Sequence, residues 1–465
     1  MSSVVKKISL SLLVLLIVSA IDSIRNLPSA ALFGSSLVFF FVLASIIFLL
    51  PTALVSAELA SLLPEKGGVY HWMTKAFGDK IGMLSIWLQW INTMVWYPTI
   101  LSFIAGIGAY LIHPELASNK WYLICSILFL FWSLTYINLF GINLSAKINS
   151  YAGLIGTIFP LCLLIFLGAL WIARQEPIQI SFSAPDLLPN FSKIDSWISL
   201  TAITASFCGI ELAGVHVNDV RNPQKNFPKA ILMSSFILLC TMLFGSLAIA
   251  VVVPSEQINL IAGVMQVLDV FFEALHVSYL TPVLAVLIVV GSLGSIINWL
   301  ISPAKGLYHA AEYGFLPDYF KKKNKHGVAS RILICQAILV SALCCIFFLV
   351  PNVNTFYWFL TGLSTDLYLL MYLLMFLSAI KLHYRLRFRD PSFKIPGKTL
   401  GLWITCILGI CGCLLTLFIS FFPPQELNIS FARYALLILS GNLIMVAPVF
   451  LFYYYKKRNS SIKCD

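Results

Sequence analysis

"FCGIELAGVHVND", residues 207–219, sets Glu211, His216, Gly209 and Gly214 among the Leu, Val, Ile and Phe of a strongly apolar stretch. A carboxylate between helix-loosening glycines is out of place on a lipid-facing helix. An isolated charge in hydrocarbon must face water, find a partner or take up a proton. Composition establishes that the surroundings are a membrane. Of the 465 residues, 60% are hydrophobic and 11% charged, with a mean hydropathy of +0.92, well outside the range of soluble domains.

A helix needs about 20 apolar residues to cross the hydrocarbon core. Such windows fall at roughly 8–32, 36–62, 82–112, 121–141, 148–173, 197–218, 229–253, 279–302, 331–350, 356–380, 400–422 and 431–455. Unpaired backbone groups are not tolerated in lipid, so these are helices, and the short alternating segments of a membrane barrel are missing. The expectation is an all-α polytopic membrane protein with twelve transmembrane helices. The N-terminal apolar stretch begins like a signal peptide but runs without a cleavage site into the first span, so it is read as retained.

The net charge of +11 does not signal nucleic acid. With twelve spans both termini share a side. That side carries 25 of the 30 Lys and Arg; the other carries Lys120, Arg174, Lys193 and Arg433, and Arg25 lies inside the first span. This bias places both termini in the cytoplasm. The runs "KKKNK" and "KLHYRLRFR" are accordingly topology signals near lipid headgroups. Ten of the eleven cysteines fall within predicted helices without ligand spacing, and "CGC" at 411–413 reads as small packing residues. The seven histidines are dispersed. No metal, cofactor, disulfide or soluble domain is expected, and the partners are the lipid bilayer and a small substrate. The chain is read as one membrane transport domain over 1–465.

Two spans are interrupted. The first reads "VSAIDSIRNLPSAALFG", with Asp22, Ser23, Arg25 and Asn26 ahead of Pro28, a residue that removes a helical hydrogen bond. The sixth is the stretch quoted at the outset, where Gly209 and Gly214 ease unwinding. Spans 1 and 6 correspond if the chain is two five-helix halves, about 8–173 and 197–380, followed by extra helices over about 400–455. Paired broken helices at matching places are the sequence signature of a transporter's midplane site, where half-helix ends face the charged groups of a substrate. A channel would call for a polar lining along helix faces rather than at two breaks. A membrane enzyme would call for clustered catalytic groups.

These residues resemble the amino acid–polyamine–organocation superfamily of permeases, and within it the glutamate:GABA antiporter family. The likeness runs from about residue 10 to 455, on "LPTALVSAELA", "PEKGGVYHW", "GIELAGVHVNDVRNPQKNFPKA", "VVPSEQINLIAGVMQV", "SPAKGLYHAAEYGFLPDYFKKKNKHGV" and "KIPG". The resemblance implies a LeuT-like 5+5 inverted-repeat fold and alternating access. It also implies secondary active amino acid exchange in the bacterial inner membrane, coupled to protons or to no ion. A cationic amino acid or polyamine antiporter, or a proton-coupled symporter, is the alternative. The ten residues after Tyr455 are too short to plug a vestibule.

The substrate-binding candidates are Ser23, Ile24, Arg25 and Asn26 at the break of span 1 and, by resemblance, Phe207, Cys208, Gly209 and Ile210 of span 6; Asp22, Arg25 and Asp366 depart from what the resemblance leads one to expect of a glutamate exchanger. Trp299 of span 8 belongs with them. Ala205 stands where many relatives have a gating Trp, and "DSIRNLP" replaces their glycine-rich break. Asp22 and Glu211 are candidates for gating or proton coupling. For Glu211 three roles are open: bonding the loosened backbone of span 1, titrating, or capping packing. His216 is read as a hydrogen-bonded packing residue, and Glu58 as bonded to a neighbouring helix end. Asp22 and Arg25, three apart, would pair in an intact helical turn. In that case Glu211 and Asp366 remain as negative charges, and Asp366, placed on the cavity face of span 10, would suit a cationic amine. An unpaired Arg25 would instead suit an acidic substrate.

Overall fold

The computed structural model describes residues 8–63, 68–140, 153–192, 194–213, 220–345, 347, 353–386, 393–424, 427 and 429–462. Among these, nine helices are long and apolar enough to cross a membrane: Gly34–Leu62, Asp79–Ala109, Lys120–Leu139, Ile155–Ala173, Lys225–Val252, Ser278–Glu312, Val353–Arg385, Lys398–Ile419 and Phe431–Lys457. They are spans 2, 3, 4, 5, 7, 8, 10, 11 and 12. A bent pair, Leu10–Ser19 with Ile24–Ala31, makes span 1, and the shorter apolar helices Ser199–Ala213 and Ser330–Cys344 occupy the places of spans 6 and 9. Each window read from the sequence thus has its helix. No strand occurs among the described residues beyond a single parallel bridge between Ile8 and Val220. That bridge, with Arg221 N–H donating to Ile8 C=O at 2.9 Å, ties the foot of span 1 to the segment after span 6.

Burial orders the spans from centre to rim. Span 3 has 89% of its apolar window buried and span 10 has 72%, whereas span 12 has 11%. Spans 3 and 10 therefore form the inner wall, and span 12 offers Leu436, Leu443, Phe450 and Leu451 to lipid.

The break in span 1 lies upstream of where proline would put it. The helix ends at Ile21; Asp22 (φ −61°, ψ 119°) and Ser23 (φ −130°, ψ 97°) are extended before a short turn at Ile24–Asn26. Pro28 then falls in the first turn of Leu27–Ala31, where its missing N–H removes no helical bond. Proline restarts this helix rather than interrupting it. Span 6 breaks after Phe207: Cys208 is extended, and Gly209 takes φ +110°, open to glycine at low cost. Gly214 and His216 lie outside the described residues.

Close helix approach rests on small residues. A Cβ added at Gly156 of span 5 would run into the Leu287 carbonyl and the Gly291 backbone of span 8, so the two helices approach there as only a glycine allows. A Cβ added at Gly412, within "CGC", would run into the Ile47 carbonyl of span 2, so this glycine packs closely, as expected of that motif.

Candidate functional site

The two breaks meet at a central cavity. Its wall takes Asp22, Ser23, Ile24, Arg25 and Asn26 from span 1, Ala205 and Cys208 from span 6, and Trp299 from span 8. Span 3 adds Asn92, Thr93, Trp96 and Thr99, and span 10 adds Thr361, Ser364, Thr365 and Tyr368. Ser19 of span 1, Thr157 of span 5 and Ser292 and Ser295 of span 8 complete its polar surface. Trp96 and Trp299 approach each other across it, ring centroids 5.4 Å apart, and Tyr97 Oη donates to the Trp299 carbonyl at 2.8 Å.

Arg25 and Asp22 do not pair. The three-residue spacing assumed an intact turn, but the extended Asp22–Ser23 segment sends the two side chains to different helices. Asp22 Oδ2 accepts from Thr241 Oγ1 of span 7 at 2.9 Å, and its Oδ1 has no partner. Arg25 Nη1 donates to Thr99 Oγ1 at 2.6 Å, while Nε has no partner. The guanidinium carbon lies 5.7 Å from the Trp96 ring centroid and 5.8 Å from that of Tyr357, within cation–π range. Both residues are buried, at 5% and 4% exposure.

Glu211 stands behind the wall, not on it. It accepts from Tyr368 Oη at 2.6 Å, from Tyr372 Oη, and from Gln89 Nε2 at 3.4 Å. Tyr372 Oη in turn accepts the Gly209 N–H at 2.7 Å. Of the roles expected, bonding to span 1 is not what these partners do: the carboxylate joins the break of span 6 to spans 3 and 10. A polar cluster fully supplied with donors accounts for a carboxylate at this depth.

Three further residues expected in the site point elsewhere, Phe207 and Ile210 placed there by resemblance and Asp366 by its charge and its position on span 10. Phe207 packs edge-on against Phe41 of span 2, centroids 5.8 Å apart. Ile210 is fully buried and does not line the cavity. Asp366 faces away from the cavity: its Oδ2 accepts from Asn442 Nδ2 of span 12 at 2.9 Å, which corrects its placement beside a substrate. It sits one residue past Thr365, and that step of about 100° carries it to the back of span 10. Gly209 also stays off the wall, but a Cβ there would stand 3.6 Å from the Trp299 ring. Glu58 Oε2 accepts the Ile395 N–H at 2.8 Å just ahead of span 11, the helix-end role read for it.

On span 10 the sequence reading reaches Thr365 and Tyr368, as polar neighbours of Asp366, but not Thr361 and Ser364, and it misses the polar stripe of span 3, although a signal is present. Residues 92, 93, 96 and 99, and 361, 364, 365 and 368, recur at three- and four-residue spacing, one face of each helix. The site therefore has polar residues along helix faces as well as at the two breaks.

Comparison with known proteins agrees with this architecture. The sequence profile described as Amino acid permease matches residues 8–446. An uncharacterised transporter of Legionella pneumophila is 38% identical over 97% of this chain and 97% of its own. A glutamate/gamma-aminobutyrate antiporter of Lactococcus lactis is 27% identical over 97% of this chain and 92% of its own. Among solved structures, a mutant of the manganese transporter of Eremococcus coleocola is similar in fold, with a TM-score of 0.62 at 13% identity over 96% and 94% of the two chains.

Proposed function

The chain belongs to the amino acid permease family, and on that premise we propose that it is an amino acid exchanger working by alternating access. It is a multi-pass carrier of the bacterial inner membrane with both termini in the cytoplasm. The halves at about 8–173 and 197–380 move around the fixed central cavity, with the helices at about 400–455 as an outer support. The observation that carries this reading is the convergence of two broken helices on one polar cavity, with backbone ends and buried charged side chains in the same wall. The antiporter relative in Lactococcus lactis supports exchange of glutamate and GABA-like substrates. The polyamine alternative drew on Asp366, which faces span 12.

Purified protein in liposomes tests the proposal. Uptake of labelled glutamate or GABA should be rapid into vesicles loaded with either compound and close to background in empty ones. Equal uptake into loaded and empty vesicles would overturn exchange and leave a uniporter or symporter.

A further inference from the structure

We infer that the side chains at the span 1 break read the charges of the substrate, Arg25 taking a carboxylate and Asp22 an ammonium. The ligand is then a zwitterion carrying both groups, and an amine without the carboxylate is rejected. This rests on the exchanger reading for the identity of the cavity, but not on exchange itself.

Among the described residues, Asp22 and Arg25 are the only formally charged side chains in the cavity wall. Their polar neighbours there are hydroxyls, amides and one thiol, set among aromatic rings and the aliphatic Ile21, Ile24, Ile100 and Ala205. Each is held by a neutral group on a different helix, Thr241 for Asp22 and Thr99 for Arg25, so neither is paired with an opposite charge of the protein. Two buried charges of opposite sign that do not meet are costly as they stand. A ligand with a carboxylate at one end and an ammonium at the other compensates both at once. Of the five N–H donors a guanidinium carries, one is used, by Thr99. The remaining donors include the planar fork that suits a carboxylate. The Trp96 and Tyr357 rings lie within cation–π range of the guanidinium, at 5.7 and 5.8 Å from its carbon to the ring centroids. A diamine in the same place would set a cation against Arg25 in a low-dielectric wall, where like charges repel strongly.

Equilibrium binding to the purified full-length protein, read by ligand-induced thermal stabilisation, tests this with glutamate, GABA, glutamine, putrescine and glutarate. Wild type should bind the three amino acids, and putrescine and glutarate at least about tenfold more weakly, the worth of one charge-assisted contact. Arg25→Gln should weaken GABA by more than about tenfold while leaving putrescine unchanged or improved, and Arg25→Lys should keep much of the preference. Asp22→Asn should narrow the gap between GABA and glutarate. Asp366→Asn should leave the ranking of all five as in wild type. The inference is overturned if putrescine binds wild type as well as GABA does. It is equally overturned if Arg25→Gln and Arg25→Lys weaken GABA and putrescine alike. Because binding is read without vesicles, its failure is distinct from equal uptake into loaded and empty liposomes, which sinks exchange alone.

Discussion

Glu211→Ala should lower the stability of the carrier by roughly 3–6 kcal/mol and abolish transport. The side chain takes up three donors, Tyr368 Oη, Tyr372 Oη and Gln89 Nε2, all inside the bundle. Removing the acceptor strands them, at about 1–3 kcal/mol for each buried unsatisfied group, less than additively because they form one network. The loss reaches the cavity directly, since Tyr368 is part of the wall and Tyr372 holds the Gly209 N–H at the break. Glu211→Gln keeps one carbonyl acceptor but turns an NH2 toward the second tyrosine, so it should cost about half as much and retain ligand binding. Thermal unfolding in detergent, alongside binding, separates the two variants. If Ala proves as stable as Gln, the carboxylate does not organise this cluster.

Gly156→Leu should be the most damaging change among the glycines of spans 5 and 8. Even a Cβ at this position would collide with the span 8 backbone at Leu287 and Gly291, so a four-carbon side chain has no room unless the helices separate. Overpacking of this kind costs about 3 kcal/mol or more. Separation would also open the wall, because Thr157 follows on span 5 while Ser292, Ser295 and Trp299 follow on span 8. The variant should yield little monodisperse protein on gel filtration, and what is recovered should lack ligand binding. Gly156→Ala should fall in between. A Leu variant that purifies and binds as wild type does would show that the two helices do not meet here.

The fold was legible because its cause is crude: long apolar runs must become helices in lipid, and two runs were visibly interrupted. The direction taken by side chains at those interruptions was not legible. Reading Asp22 and Arg25 as a pair required an unbroken turn through Ser23, the residue whose extended backbone separates them. Phe207 and Ile210 were assigned by their position in a motif, yet a helix break sends neighbours to opposite sides, so Cys208 reaches the cavity and they do not. Asp366 failed for a simpler reason. A buried carboxylate attracts a functional reading, but the residues one position before it and two after it already defined the cavity face of span 10. The stripes on spans 3 and 10 were written in the period of the sequence. Beyond Thr365 and Tyr368 they are hard to read, because a lone Asn, Thr or Ser in an apolar helix is unremarkable until its neighbours at three and four residues are counted.

The central claim is that the cavity between the two breaks is where substrate binds, with the span 1 side chains contacting its charges. A structure of the protein with glutamate or GABA bound tests it most directly. Ligand density should be bounded by Asp22, Arg25 and Trp299, with a carboxylate against the Arg25 guanidinium and the ammonium toward Asp22. Ligand density seated elsewhere, or in this cavity with the carboxylate turned away from Arg25, would contradict it.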